Sequence, residues 1–252
     1  KVFISPDGEL NRVPFAALKN SDSNQFLGEE KQIRLLTTGR ELLDLAKDSN
    51  KSNQKPLVVA NPSFDLVTPS IPIASMDPFN SSQRRSGDLS YRKWNPLPGT
   101  EEEGQTIAQI TDAKLLTQQQ ATTISIQEAN IPKVFHIASH AFYLPPDINR
   151  KENPLLRSGI VLAGANNPGN NEQDDGYLTA LEVTKLDLSG TEMVVVSGCE
   201  SGKGDIQSGE GVYGLKRAIA VAGARSSLLS LWKVDDAATA AFMESFYQKL
   251  KD

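Results

Sequence analysis

Short runs of aliphatic and β-branched residues recur along this chain, and most of them are followed by a turn and then by a helical pattern. The strongest run covers residues 192–197, where three consecutive valines predict a central strand that is buried on both faces. Residues 56–60 and 134–140 have the pattern of further strands, and residues 100–111 and 235–251 that of helices. Alternating strands and helices predict an α/β fold, in which helices cover both faces of a mostly parallel sheet.

Weaker patterns complete the predicted order of elements. They predict strands at 114–117, 159–163 and 226–232, and helices at 122–130, 179–186 and 211–222. Residues 1–55 precede this sheet and predict a smaller N-terminal region, with the core at 56–252; one continuous domain over 1–252 is the alternative. Because the chain begins with Lys1 inside a predicted strand, we expect it to be a fragment of a longer protein.

Composition excludes several classes of protein. One cysteine and two histidines cannot form an intramolecular disulfide or a cysteine-rich zinc site, so we expect no metal and no cofactor. A net charge of −5 argues against nucleic acid and anionic membranes as partners. No apolar run approaches the ~20 residues that a membrane-spanning helix needs. The lone cysteine fits a reducing compartment, which predicts a cytoplasmic location.

Reactive side chains follow two of the predicted strands. His140 ends one strand, and Cys199 comes directly after the valine-rich strand. Because the carboxyl ends of parallel strands lie at one edge of a sheet, the two side chains meet there if the strands are neighbours. A thiol beside an imidazole forms a nucleophilic ion pair near neutral pH. A helix that begins near Glu210 is expected to point its positive end at the same edge.

Chain order narrows the type of chemistry. The α/β-hydrolases and the papain-like peptidases place histidine after the nucleophile, but no histidine follows Cys199. Caspase-like enzymes place histidine first, with a spacing similar to that from His140 to Cys199. His136 is expected to be a buried, hydrogen-bonded residue. The glycine-rich sequence around Lys203 lacks the Gly-Lys-Ser/Thr ending of a phosphate-binding loop, which argues against nucleotide binding.

Several blocks of sequence, taken in order, resemble the CHAT domain family of caspase-like cysteine peptidases, which are related to separase and often attached to tetratricopeptide repeats. The blocks are SPDGEL with VPFAAL, LPGTE, HIASHA, DGYLTA, VSGCESG, GEG, AGA and SLWKVDD. The resemblance covers most of the chain. It implies a caspase-like three-layer sandwich preceded by a smaller N-terminal region.

The resemblance also implies roles for individual residues. Cys199 would be the nucleophile and His140 the general base and acid, and the backbone amides of Ala141 and Cys199 would form the oxyanion hole. The family often has glycine at the position of Ala141. Asp236, or its neighbour Asp235, matches a separase acid that receives a basic P1 side chain; otherwise one of these aspartates caps the following helix.

These roles predict a cysteine endopeptidase that cleaves a protein or peptide substrate after Arg or Lys through an acyl-enzyme intermediate. A tetratricopeptide-repeat or other regulatory region is a further expected partner. Two other hypotheses remain. The first is a catalytically silent scaffold or regulatory module with the same fold, and the second is a flavodoxin-like nucleotide binder.

Overall fold

The computed structural model describes residues 1–46, 51–67, 89, 92–129, 131–145, 153–168, 174–198, 204–207, 211–230 and 235–251. The strands, in chain order, are β1 (Val2–Ile4), β2 (Ile33–Leu35), β3 (Leu57–Pro62), β4 (Lys114–Gln118), β5 (Val134–Ala138), β6 (Ala141–Tyr143), β7 (Ser158–Val161), β8 (Tyr177–Thr179), β9 (Met193–Ser197), β10 (Gly204–Gln207), β11 (Gly211–Gly214) and β12 (Ser227–Leu229). The helices are α1 (Leu27–Glu30), α2 (Glu41–Ala46), α3 (Gly99–Thr111), α4 (Thr123–Gln127), α5 (Ala180–Val183), α6 (Leu215–Val221) and α7 (Asp236–Lys251). Short 3₁₀ helices occupy Gly8–Arg12, Phe15–Ala17 and Pro154–Leu156.

Five strands form the central sheet in the order β12-β9-β5-β3-β4. Every neighbouring pair is parallel, which confirms the predicted sheet. The valine-rich strand β9 lies between β12 and β5, so it is an interior strand although β5 occupies the middle. The chain passes from β3 to β4 on one side and then to β5 on the other. The carboxyl ends of β3 and β5 therefore flank the switch point where such sheets form their sites.

Helices cover both faces of this sheet. On one face, α3 and α7 pack against alternate residues of β3, β5 and β9, in a cluster that includes Val58, Val195, Ile107, Met243 and Tyr247. The opposite face packs against α4, α5 and α6, in a larger cluster that includes Val59, Ile137, Val196, Ile126, Val183 and Ile219. The alternation of side chains along each strand thus builds the three layers that the sequence predicted.

A glycine sets the separation between α3 and the sheet. A Cβ atom on Gly104 would lie 2.3 Å from the Cβ of Ala60 on β3. Only a residue without a side chain lets the helix approach the strand this closely. Glycine is therefore required at position 104 by the packing of α3 on β3, and not by an unusual backbone conformation.

A second, smaller sheet lies beside the carboxyl edge of the first. Strands β6, β7 and β8 pair antiparallel, and β6 begins at Ala141, three residues after the end of β5 at Ala138. A separate apolar cluster packs on this sheet and contains Phe64, Leu89, Phe142, Leu144, Val161, Ala165 and Tyr177, with Trp94 against it. This arrangement brings the segment after β3 next to the segment after β5.

The structure corrects two predictions on this edge. Residues 211–222 are not one helix, because Gly211–Gly214 is a strand that pairs antiparallel with β10. The helix α6 begins at Leu215, so the predicted helix start near Glu210 is wrong. In addition, β5 ends at Ala138, and His140 lies in the link to β6.

The N-terminal residues form a small sheet of two strands. Strands β1 and β2 pair only with each other among the described strands, in parallel. Arg34 of β2 donates a hydrogen bond from Nη2 to the Arg225 carbonyl at 2.8 Å, which ties this region to the segment before β12. The predicted boundary near residue 55 stays a prediction.

Candidate functional site

The two strands that precede the predicted nucleophile and base are direct neighbours. β5 pairs with β9 in parallel, and Ala138 lies opposite Ser197 at the carboxyl ends of the strands. His140 follows β5, and Gly198 follows β9, at the same edge of the sheet. Cys199 is the next residue in the sequence, and it lies outside the described residues. The condition on which the predicted dyad depended, adjacent strands, is therefore confirmed.

Gly198 makes a close approach between the two strand ends. A Cβ atom on Gly198 would lie 2.4 Å from the Ser139 carbonyl oxygen and 3.2 Å from the Ala141 nitrogen. A backbone carbonyl cannot move aside as a flexible side chain can, so this position requires glycine. The backbone before Cys199 thus lies against the residues on both sides of His140.

Among the described residues, the segments that follow β3 bring three groups close to the half-buried imidazole of His140. Its Nε2 lies 2.8 Å from the carbonyl oxygen of Asn95. The rings of Phe64 and Trp94 lie 5.3 Å and 5.1 Å from the imidazole, measured between ring centroids. All three groups come from the segments that follow β3, so the switch point of the sheet supplies the surroundings of this histidine.

The Asn95 contact determines which ring nitrogen of His140 carries hydrogen. A carbonyl oxygen only accepts hydrogen bonds, so Nε2 must donate. In the neutral imidazole Nδ1 then has the lone pair and is the nitrogen that can take a proton. A backbone carbonyl that orients a histidine plays the part that a carboxylate plays in many triads.

The backbone N–H of Ala141 is not used in the ladder between β6 and β7. The Val161 N–H donates to the His140 carbonyl at 2.9 Å, so Ala141 and Ile160 form the pair of this antiparallel ladder that exchanges no hydrogen bonds. The N–H of Ala141 therefore points away from β7, toward Gly198. The Ala141 side chain is buried in the main apolar cluster.

A pocket of about 390 Å³ opens at the carboxyl ends of β9 and β12, beside the first turns of α7. Its lining is mostly apolar, with Asp235 as its one charged residue among those described: Val196, Ser197, Gly198, Leu228, Leu229, Ser230, Asp235, Ala238, Thr239, Phe242 and Met243. The pocket and His140 thus lie on either side of Gly198.

The two predicted specificity residues occupy the start of α7. Asp235 is the helix cap, because its Oδ1 accepts a hydrogen bond from the Ala238 N–H at 2.9 Å. Its other carboxylate oxygen remains able to accept a further donor. Asp236 is the first residue of α7, and the structure describes its backbone only.

His136 is buried and hydrogen-bonded, as the sequence predicted. Its Nδ1 lies 3.2 Å from the Tyr247 hydroxyl, and its Nε2 lies 3.2 Å from Glu103 Oε1 without the alignment of a hydrogen bond. Both partners are almost fully buried. Among the described residues, no group of His, Asp or Glu side chains could hold a metal ion. No helix in the described ranges is long and apolar enough to cross a membrane.

Sequence reasoning missed the groups that surround His140. The Asn95 carbonyl has no sequence signal, because every residue type carries a carbonyl. Trp94 and Phe64 are aromatic residues in stretches that the patterns leave as loops. The dipeptide Asn95-Pro96 marks a turn, which was the only hint of an ordered segment there.

Comparison with known proteins identifies the family. The family model described as CHAT domain matches residues 1–252. Tetratricopeptide repeat protein 28 of Homo sapiens is 27% identical over 267 residues, which cover 97% of this chain and 10% of that protein. The protein of the same name from Mus musculus is 28% identical over 269 residues, with 97% and 10% covered. This chain spans about a tenth of the length of these curated relatives. It belongs to the CHAT domain family, which is caspase-like.

Proposed function

We propose that this chain is the peptidase domain of a cysteine endopeptidase that cleaves a protein substrate after Arg or Lys. The observation that carries the proposal is the geometry of His140. The backbone on both sides of His140 lies against Gly198, the residue that precedes Cys199, and the Nε2 of His140 donates to the backbone carbonyl of Asn95. That bond leaves Nδ1 as the basic nitrogen, as a general base requires.

The proposed reaction has two steps. Cys199 transfers its thiol proton to His140, and the sulfur attacks the scissile carbonyl carbon. The C–N bond breaks, the imidazolium gives its proton to the leaving amine, and a thioester remains. Water then attacks the thioester with His140 as base, which releases the new carboxylate and restores the thiol.

The charge that develops on the carbonyl oxygen needs hydrogen-bond donors. The Ala141 N–H supports this role, because it points away from β7. The amide of Cys199 is the second proposed donor. The Ala141 side chain belongs to the main apolar cluster, so the glycine-to-alanine departure from the family pattern does not by itself argue against catalysis.

The preference for Arg or Lys rests on the pocket beside α7. Its apolar lining suits the methylene stem of a long side chain, and Asp235 offers a carboxylate for the cationic end. Asp236, as the neighbouring acid, is the second candidate for this contact. Together they favour a basic P1 residue over an acidic one.

The test uses peptide substrates and active-site labelling. We expect the protein to hydrolyse fluorogenic peptides with Arg or Lys at P1, and to react at Cys199 with an arginyl or lysyl electrophilic peptide, detected by mass spectrometry. Cys199→Ala and His140→Ala should abolish hydrolysis and keep the circular dichroism of the folded chain. Peptides with Asp at P1 are the matched controls and should not be cleaved.

Full hydrolysis by both variants would overturn the proposal. If the wild-type protein neither cleaves nor reacts, the scaffold hypothesis replaces it, because a silent module has no activated thiol. Thermal stabilisation by nucleotides would favour the nucleotide-binding hypothesis instead.

A further inference from the structure

The segment from Arg92 to Leu97 has no regular secondary structure, yet it touches His140 twice. The Asn95 carbonyl accepts from Nε2 at 2.8 Å, and the Trp94 ring lies 5.1 Å from the imidazole. A carbonyl on an irregular segment can orient a histidine only if other contacts fix that segment.

Asn166 fixes the backbone of this segment. Its Oδ1 accepts from the Trp94 N–H at 2.8 Å, and its Nδ2 donates to the Trp94 carbonyl at 3.0 Å. The same Nδ2 also donates to Asp65 Oδ1 at 2.8 Å, which fixes the orientation of the amide. One side chain thus bonds both backbone polar groups of the residue next to Asn95.

Tyr177 fixes the ring of the same tryptophan. The Trp94 indole N–H donates to the Tyr177 hydroxyl at 2.9 Å, and Tyr177 is fully buried. With its backbone bonded to Asn166 and its ring bonded to Tyr177, Trp94 has little freedom to turn. The contacts that hold Trp94 therefore also hold the neighbouring carbonyl of Asn95, so both groups next to His140 are positioned together.

We propose that Asn166 is a positioning residue for His140, which acts through Trp94 and the Asn95 carbonyl to fix the Nε2–H form of the imidazole. The catalytic part of this inference rests on the proposed function. The part that concerns the ring form does not, because it is a property of the folded protein.

The test compares Asn166→Ala with Asn167→Ala. Asn167 is the matched control, because its Nδ2 bonds the Asp65 backbone carbonyl at 3.0 Å, and no described contact joins Asn167 to Trp94. The chain has two histidines, so ¹⁵N spectra of labelled histidine rings contain only two systems, and His136 is an internal reference.

In the wild type we expect the ring nitrogens of His140 to show one dominant form with hydrogen on Nε2. Asn166→Ala should mix the two forms and lower kcat about tenfold to a hundredfold, with KM little changed. Asn167→Ala should leave the ring form intact and kcat within about twofold of wild type. His136 should be unchanged in both variants.

A second variant covers the case in which Asn166→Ala fails to fold. Asn166→Asp removes the donor to the Trp94 carbonyl and places two carboxylates together, whereas Asn166→Asp with Asp65→Asn restores an amide–carboxylate pair. We expect the double variant to recover part of the Nε2–H form that Asn166→Asp loses. A wild-type ring form and kcat in all Asn166 variants would overturn the inference.

The two proposals fail in different ways. If the ring form responds to Asn166 while no peptide is cleaved by any variant, the positioning role stands and the peptidase function falls. If peptides are cleaved and neither kcat nor the ring form responds to Asn166, the peptidase function stands and the positioning role falls.

Discussion

The buried cluster of Glu103, His136 and Tyr247 joins three elements through polar side chains. Glu103 comes from α3, His136 from β5 and Tyr247 from α7. Burial raises the pKa of Tyr247, and the charge of Glu103 raises it further. The phenol therefore stays neutral in the folded protein at a pH where an exposed tyrosine ionises.

Replacing Tyr247 by phenylalanine should change how stability depends on alkaline pH. The unfolded chain ionises this phenol near its ordinary pKa of 10.0, whereas the folded chain does not. The stabilisation is therefore complete below pH 10 and falls as pH rises above it, by about 1.4 kcal/mol per pH unit. Near neutral pH we expect the free energy of unfolding of the wild type to exceed that of Tyr247→Phe by about 1–3 kcal/mol. This difference should shrink above pH 10.

Urea unfolding at neutral and alkaline pH measures this difference. Tyr143→Phe is the comparison variant, because Tyr143 is only half-buried: burial raises its pKa, and the charges of Arg157 and Arg12 partly offset that rise. The free energy of unfolding of Tyr143→Phe should change with alkaline pH more nearly as that of the wild type does than that of Tyr247→Phe. A stability difference for Tyr247→Phe that stays constant through the alkaline range would contradict the expected titration.

At the scale of single residues, the sequence predicted types of environment but not partners. The position of His136 inside an apolar strand predicted its burial, whereas Glu103 and Tyr247 lie on distant helices that only the packed fold brings together. The Asn95 carbonyl belongs to the backbone, so no residue type announces it. Asn166 is one of several asparagines in a polar, glycine-rich stretch, and nothing in the pattern distinguishes it from its neighbours.

At the scale of elements, the helix predicted for residues 211–222 shows where local patterns fail. Gly211 and Gly214 disfavour a helix, and Val212 and Tyr213 favour a strand. The partner strand β10 carries two polar residues and a glycine, so its pattern did not predict it. Pairing with β10 makes residues 211–214 a strand, and the helix α6 begins after it, at Leu215.

Asp235 caps α7, and two substitutions can separate this structural role from its proposed role in substrate specificity. Asp235→Ala removes the acceptor for the Ala238 N–H and should destabilise the protein by about 1 kcal/mol. Asp235→Asn keeps an oxygen that can cap the helix, so stability should hardly change. The asparagine has no charge, however, so kcat/KM for Arg and Lys substrates should fall if Asp235 receives the cation.

Thermal unfolding and peptide kinetics on the same variants make this separation. Asp236→Asn is the matched variant, since it neutralises the adjacent acid without touching the cap. If Asp235→Asn leaves the preference for basic P1 residues intact while Asp236→Asn removes it, the second acid is the specificity residue. No effect of either variant on P1 preference would remove both acids from the proposed pocket.

At the scale of the whole molecule, the layers were predictable and the strand order was not. Alternating strands and helices lead to a parallel sheet covered on both faces. Local pattern does not determine on which side of β3 the chain continues after β4, so the position of the switch point emerged only from the fold. That switch point gathers the segments after β3 and β5, and it is where His140 meets Asn95 and Trp94.

Among the described residues, those of the N-terminal region contribute to none of the apolar clusters. The three clusters of buried apolar residues in the part of the chain that the structure describes are formed by residues from Leu57 onward. Within residues 1–43, Leu36 is buried but most other apolar side chains are half-buried or exposed, among them Phe3, Leu10, Phe26 and Leu43. Because this region buries few apolar side chains, little free energy is needed to open it locally.

Hydrogen exchange on the intact protein should show this difference in local stability. We expect amides of β1 and β2 to exchange through local opening, with a lower free energy than amides of β3, β5 and β9, which exchange only when the whole core unfolds. Mass spectrometry of pepsin fragments measures the exchange rates of the N-terminal strands and of the central strands in one experiment. The matched reference is β12, because it is also an edge strand but belongs to the central sheet. Because β12 pairs with β9 and β1 pairs with β2 alone, β12 should be protected more strongly. Equal protection of β1, β2 and the central strands would mean that residues 1–46 unfold together with the core, and the boundary near residue 55 would then be abandoned in favour of one continuous domain.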